Sequence, residues 1–166
     1  MCWSPGEELG VVWPPVKFDE IVIDPFSVPL LNTIILLSSG ATVTACHFYL
    51  LVSEDHNLYN QGLFYLFITV FLGIIFLYLQ IEEYAQSYIR FNSTVYGSAF
   101  FILTGFHGLH VTIGAIALSV SLVRYFNCRI SVFEHVGFEG SAWYWHFVDV
   151  VWLFLYIFVY WLGAPL

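Results

Sequence analysis

The sequence predicts an all-α membrane protein, a four-transmembrane-helix bundle, and three observations carry that expectation. Four long apolar stretches fill most of the 166 residues. The composition is 60% hydrophobic and only 10% charged, against about 25% charged in soluble domains. Ionisable groups also sit inside the greasy stretches, above all His146 and Asp149 in the run from Trp143 to Trp152. Each such group costs roughly 2.5 to 3.5 kcal/mol at bilayer depth, so it is kept only where it faces protein, water or a partner. The expected molecule is one multi-helix unit in contact with lipid, with no second soluble domain.

The first element is a Pro-rich N-terminal arm over residues 1–29, where Pro5, Pro14, Pro15, Pro25 and Pro29 remove backbone donors and forbid a continuous helix. A four-helix transmembrane domain over 30–166 follows, with spans at about 30–52, 61–86, 95–126 and 140–162, each long enough to cross a core that needs about 20 residues. In the first span the small patch Ser38-Ser39-Gly40-Ala41 points to close helix contact. Glu54-Asp55-His56-Asn57 reads as a tight polar turn, so the first two spans are antiparallel neighbours. The third span exceeds the bilayer thickness and must tilt or project. The fourth stops at Gly163-Ala164-Pro165.

The net charge of −8 comes from twelve acids against four bases, and five of the acids (Glu7, Glu8, Asp19, Glu20 and Asp24) lie in the arm. That balance excludes a nucleic-acid surface. Cys2, Cys46 and Cys128 have no paired spacing and read as small fillers rather than a disulfide framework or zinc site. The first eight residues lack the basic flank and apolar core of a signal peptide. Basic residues leave the orientation open: Lys17 and Arg90 fall on one side, Arg124 and Arg129 on the other. Four spans put both termini on the same side.

The polar residues inside the spans are the candidate site. His107 and His110 are three apart on one helical face and could reach one metal or proton path, or bond across to other helices. Further metal ligands would have to come from another helix, and no metal is expected. His146 and Asp149 have the same spacing, so the carboxylate could fix the imidazole tautomer in a relay, or the pair could lock helix to helix. Glu83 is either a buried acid, counted with those four as a polar helix contact, or a headgroup-level residue with Glu82, Tyr84, Tyr88 and Arg90. Arg124, with Arg129 five residues on, is placed to hold a phospholipid headgroup or to snorkel at the membrane edge.

Several segments resemble cytochrome c oxidase subunit III of the mitochondrial type. They are Glu8-Leu9-Gly10 with Trp13-Pro14-Pro15, Val28 to Thr33, Tyr96-Gly97-Ser98, Thr104 to Val111, Gly137-Phe138-Glu139 and Ala142 to Tyr156. The resemblance covers nearly the whole chain, in the family's order. It implies the last four of the family's seven helices, leaving the membrane-embedded glutamate of the third helix without a counterpart. A split subunit is therefore expected, with a separate chain supplying the first three helices.

The resemblance further implies a non-redox supporting subunit of complex IV, the proton-pumping terminal oxidase, in the mitochondrial inner membrane. Such a subunit packs against subunit I and other complex IV subunits, binds phospholipid (cardiolipin or another) and supports proton uptake. It has no cofactor of its own; haem and copper belong to partner subunits. By position Arg124 matches a family arginine associated with lipid, while Asn127 stands where lysine is common, which implies a headgroup contact either weaker or shared with Arg129. The family topology implies both termini in the intermembrane space. Two alternatives stay open: a quinol oxidase subunit III, and an independent transporter using His107, His110, His146 and Asp149. Against the transporter, no two-fold symmetry of broken spans is visible.

Overall fold

The spans are apolar on all faces, and the computed structural model turns one stripe of each, recurring every three or four positions and including small and polar residues, into a bundle. It describes residues 26–52, 56–86, 95–130 and 135–161. The helices are α1 (Val28–Val52), α2 (His56–Gln86), α3 (Val95–Phe126) and α4 (Val136–Leu155), and α4 runs on into a π-helical turn, Tyr156–Trp161. No strand occurs among the described residues. Packing runs α1 to α2, α2 to α3, α3 to α4 and α4 back to α1, a closed ring.

The buried stripe of α1 shows the logic: Asn32, Thr33, Leu36, Ser39, Gly40, Val43, Cys46 and Leu50 all turn inward. Its outer face carries Leu31, Ile34, Leu37 and Phe48, and that of α2 carries Phe64, Phe67, Phe71, Ile74, Tyr78 and Ile81. Only 33 to 39% of the apolar window of each helix is buried in the bundle. Exposed phenylalanine in such rows is an aggregation surface in water and an ordinary surface in lipid, so all four helices are built to cross a membrane.

Trp145 of α4 holds the centre. Its indole N–H donates to Ser39 Oγ of α1 at 2.9 Å, and its ring lies against two glycines on the remaining helices. A Cβ would stand 2.7 Å from the ring at Gly73 of α2 and 2.9 Å from it at Gly114 of α3. Two turns along α4, Trp152 N–H donates to Thr33 Oγ1 at 3.0 Å, and its ring meets Phe76 edge-on at 4.9 Å. Both accepting hydroxyls pass their own hydrogen back to α1, Ser39 to Leu36 O and Thr33 to Pro29 O. Every polar atom of the two contacts is thereby used.

The helices are longer than their apolar runs. α2 begins at His56 rather than near 61, so His56 and Asn57 belong to the helix and not to the turn, and α4 begins at Val136 rather than near 140. In α2 the added residues begin with polar His56 and Asn57, which stay helical past the hydrophobic signal, while in α4 they are Val136-Gly137-Phe138-Glu139, with Glu139 N–H donating to His135 O at 2.9 Å. α3 occupies 95–126 as its sequence predicts and spans about 48 Å at 1.5 Å per residue. Pro29 falls in the first turn of α1, where its missing N–H costs nothing. The arm up to residue 25, the 53–55 turn and the stop at Gly163-Ala164-Pro165 lie outside the described residues.

Candidate functional site

The antiparallel ring brings the intramembrane polar residues into separate places. His107, on the inner face of α3, is 3% exposed and neither ring nitrogen has a hydrogen-bond partner. Its neighbours are aromatic: Phe76 at 5.8 Å and Trp152 at 5.0 Å between ring centroids. His110, one turn on, lies on the outer surface, and its Nδ1 is 2.7 Å from Tyr144 Oη of α4. The two histidines thus share a helix without sharing a ligand. Three metal-ligating side chains converge nowhere among the described residues.

His146 and Asp149 also differ from the expected pair. His146 lies on the outer surface with Nε2 3.2 Å from Thr44 Oγ1 of α1, while Asp149 is buried and its Oδ1 has no partner. No hydrogen bond joins the two among the described residues, because the imidazole turns to α1. Gly40 explains how the carboxylate fits: a Cβ there would stand 2.5 Å from Asp149 Oδ2. Leu37, Gly40, Ala41 and Thr44 of α1 with His146, Asp149, Val150 and Leu153 of α4 line an open groove of about 500 Å³. His110 and His146 are therefore surface contacts between helices, not buried ones; Asp149, His107 and Glu83 are buried.

Glu83 is 8% exposed and neither carboxylate oxygen has a hydrogen-bond partner, whereas Glu82 faces outward. Of the two acids, Glu83 therefore turns toward the helices and Glu82 toward the exterior. Next to it Tyr84 Oη donates to Thr104 Oγ1 of α3 at 2.6 Å.

Arg124 occupies the last turn of α3, at the opposite end of the bundle from Glu83, and is exposed. Its guanidinium reaches the start of α4, 3.7 Å from where a Cβ on Gly137 would lie. Exposed Arg129 stands beside it because the chain reverses there: Arg129 N–H donates to Arg124 O and Cys128 N–H to Tyr125 O, both at 2.9 Å. Those two bonds are a Schellman cap, and they put Cys128 at φ 53°, where glycine is usual. Asn127 turns its amide back onto Val123 O at 2.9 Å. An apolar groove of about 500 Å³, lined by Asn60, Leu63, Phe64, Phe67, Leu122, Val123 and Phe126, runs between α2 and α3 near the same end.

Sequence reasoning named Gly40 and Gly114 among the small contact positions and missed Gly62 and Gly73. Gly62 takes the Tyr125 hydroxyl and Gly73 the Trp145 ring, while Gly105 and Gly108, also named, have nothing within 4 Å of an added Cβ. A lone glycine in the charge-free middle of the second span was the available signal for Gly73. Asn32, Gln80 and Tyr160, all buried, were likewise not singled out.

Four membrane-length helices with inward polar pairs and a lipid-facing exterior define a multi-pass membrane subunit. The family description "Cytochrome c oxidase subunit III" matches residues 1–164. Cytochrome c oxidase subunit 3 of Aedes aegypti is 53% identical over 160 residues, covering 96% of this chain and 59% of that protein. The Drosophila melanogaster protein of the same name is 52% identical over 161 residues, with 97% and 59% covered. That of the alga Chondrus crispus is 48% identical over 161 residues, with 97% and 57% covered. The chain belongs to the cytochrome c oxidase subunit III family and corresponds to a C-terminal portion of it. It spans about three-fifths of the length of these curated relatives.

Proposed function

We propose that the chain is a non-redox supporting subunit of cytochrome c oxidase, complex IV, in the mitochondrial inner membrane. The observation that carries this reading is identity of 48 to 53% across nearly the whole chain with proteins named as that subunit. In this role the bundle packs against subunit I, stabilises it and supports proton uptake, while haem and copper reside in partner subunits. The names of the relatives favour the cytochrome c enzyme over a quinol oxidase, and membership in this family speaks against an independent transporter. Gentle solubilisation of the native membrane tests it. Co-migration of the chain with haem and a dinuclear copper spectrum is expected; migration without haem overturns the assignment.

Arg124 neutralises a phospholipid phosphate, with Arg129 beside it as the second base. Support comes from the exposed guanidinium at a helix end, the neighbouring Arg129 and the apolar groove near that end. Replacing Arg124→Ala should lower the phospholipid that co-purifies with the complex, cardiolipin included, while initial electron transfer continues. Unchanged lipid content would leave Arg124 as a snorkelling side chain.

A further inference from the structure

We propose that the bundle encloses a water-binding cage, built by Asn32 of α1, Gln80 and Glu83 of α2 and Tyr160 of the π-helical turn. The four residues lie toward the end where α1 and α3 begin. Gln80 and Glu83 both stand against the Tyr160 phenol. Asn32 reaches the same level by register. Thr42 of α1 touches Thr69 of α2, and stepping ten residues from that contact along each antiparallel helix brings Asn32 opposite Leu79 and Gln80. The Tyr160 ring is held among Phe100 at 5.5 Å, Trp152 at 5.9 Å and Tyr156 at 6.4 Å. The wide turn after Leu155 brings Val159 and Tyr160 inward together.

Burial and hydrogen-bonding demand select the ligand. Asn32, Gln80, Glu83 and Tyr160 are 0, 3, 8 and 2% exposed. Among the described residues, seven of their side-chain atoms close no hydrogen bond of full distance and angle, although the Tyr160 phenol lies within polar reach of Gln80 and Glu83: both amide atoms of Asn32 and of Gln80, both Glu83 oxygens and Tyr160 Oη. A buried polar atom left this way is costly, and more so in a bilayer, where lipid offers nothing in exchange. A metal cation would satisfy the oxygens and leave the amide N–H groups unmet. An anion would answer the N–H groups and meet Glu83 with repulsion. Water donates and accepts, makes two to four hydrogen bonds per molecule, and so is the ligand class that answers both kinds of atom. The cage thereby ties α1, α2 and the π-helical turn together through exchangeable ligands, where the middle of the bundle uses direct bonds.

Radiolytic labelling of the intact oxidase in ¹⁸O water tests the cage, because hydroxyl radicals born from bound water mark the side chains beside it. Tyr160 should take up ¹⁸O although it is buried, while Trp145, equally buried and with its only side-chain polar atom bonded to Ser39, should not. Glu83→Gln, which keeps hydrogen-bonding atoms of the same shape, should retain the Tyr160 label, and Glu83→Leu should lose it. An unlabelled Tyr160 in the wild-type complex overturns the proposal without any variant. So does labelling that persists unchanged in Glu83→Leu, or a density map in which a metal ion, a partner's basic side chain or direct bonds among the four residues fill the cage.

Discussion

The middle of the bundle and the end where α1 begins solve the same problem in opposite ways. In the middle, most polar contacts close directly, Trp145 on Ser39, Trp152 on Thr33 and Thr42 on Thr69, with His107 and Asp149 Oδ1 the exceptions among the residues named above. At the end, Asn32, Gln80, Glu83 and Tyr160 are just as buried but leave seven atoms open. The difference is one of geometry. A hydroxyl one bond from Cβ reaches a neighbouring helix only where backbones approach closely, and the glycines at 40, 73 and 114 provide that approach. Lipid supplies little drive for helices to associate, so such close polar and van der Waals contacts hold the middle.

The comparison breaks most severely at Trp145, which touches all three other helices. Replacing Trp145→Ala should cost about 3 to 5 kcal/mol, the range for removing a large buried aromatic side chain. Trp145→Phe loses the bond to Ser39 and withdraws the outer ring that lies on Gly73 and Gly114, so it should cost more than the about 1 kcal/mol of a hydrogen bond and less than Trp145→Ala. Reversible unfolding of the chain in bicelles reads both. Equal costs would mean that the outer ring and the hydrogen bond, with no help from the rest of the side chain, fasten the middle.

Gly40 sharpens the comparison because it joins the α1 approach to the buried carboxylate of Asp149. An added methyl would stand 2.5 Å from Asp149 Oδ2, so Gly40→Ala should destabilise by about 1 to 3 kcal/mol, the usual cost of overpacking. The same unfolding measurement on Gly40→Ala with Asp149→Ala should recover most of that loss, since neighbours in contact are not additive. An undiminished loss in the double variant would place the strain in the backbone.

Much of this was legible in the sequence, and the limits have physical causes. Spans and fold class follow from apolar runs of membrane length, so α3 matches its expected bounds, while α2 starts earlier because polar His56 and Asn57 stay helical, and α4 starts one turn earlier, at Val136. Spacing along one helix says which side chains share a face. It does not say what the facing helix offers. His146 and Asp149 share a turn, yet the imidazole meets Thr44; His107 and His110 share a turn, yet one meets Trp152 and the other Tyr144. Gly73 and Tyr160 were missed for the same reason, since a ring two helices on assigns the first its use and a widened turn the second.

Outside both regions, the cap after α3 provides a control. Cys128 holds a left-handed conformation at φ 53°, which costs a residue with a Cβ about 1 to 2 kcal/mol relative to the ordinary helical region. Glycine adopts it freely but loses more entropy on ordering, so Cys128→Gly should stabilise by about 1 kcal/mol. The gain should appear in thermal unfolding without altering Tyr160 labelling or the Trp145 costs. A loss of stability would mean that the thiol makes a contact the cap depends on.

The smallest effect belongs to Thr42 and Thr69, and it tests whether direct bonds in the middle are strong one by one or only together. Their hydroxyl oxygens are 2.8 Å apart, yet each also lies 2.9 Å from a carbonyl of its own helix, Thr42 from Ser39 O and Thr69 from Tyr65 O. Two hydroxyls carry two hydrogens for three contacts, so whichever threonine donates across gives up its own carbonyl. Removing one partner returns that hydrogen to the helix it came from, and little is lost. The coupling in a Thr42→Val, Thr69→Val double-mutant cycle should therefore be about 0.6 kcal/mol, near the mean for membrane interhelical bonds. Trp145 and Ser39 have no such conflict, because the indole donates and the hydroxyl's hydrogen goes to Leu36 O. A coupling for the threonine pair above that of the Trp145 and Ser39 pair would break the argument, since it would show that surrendering a backbone bond carries no cost here.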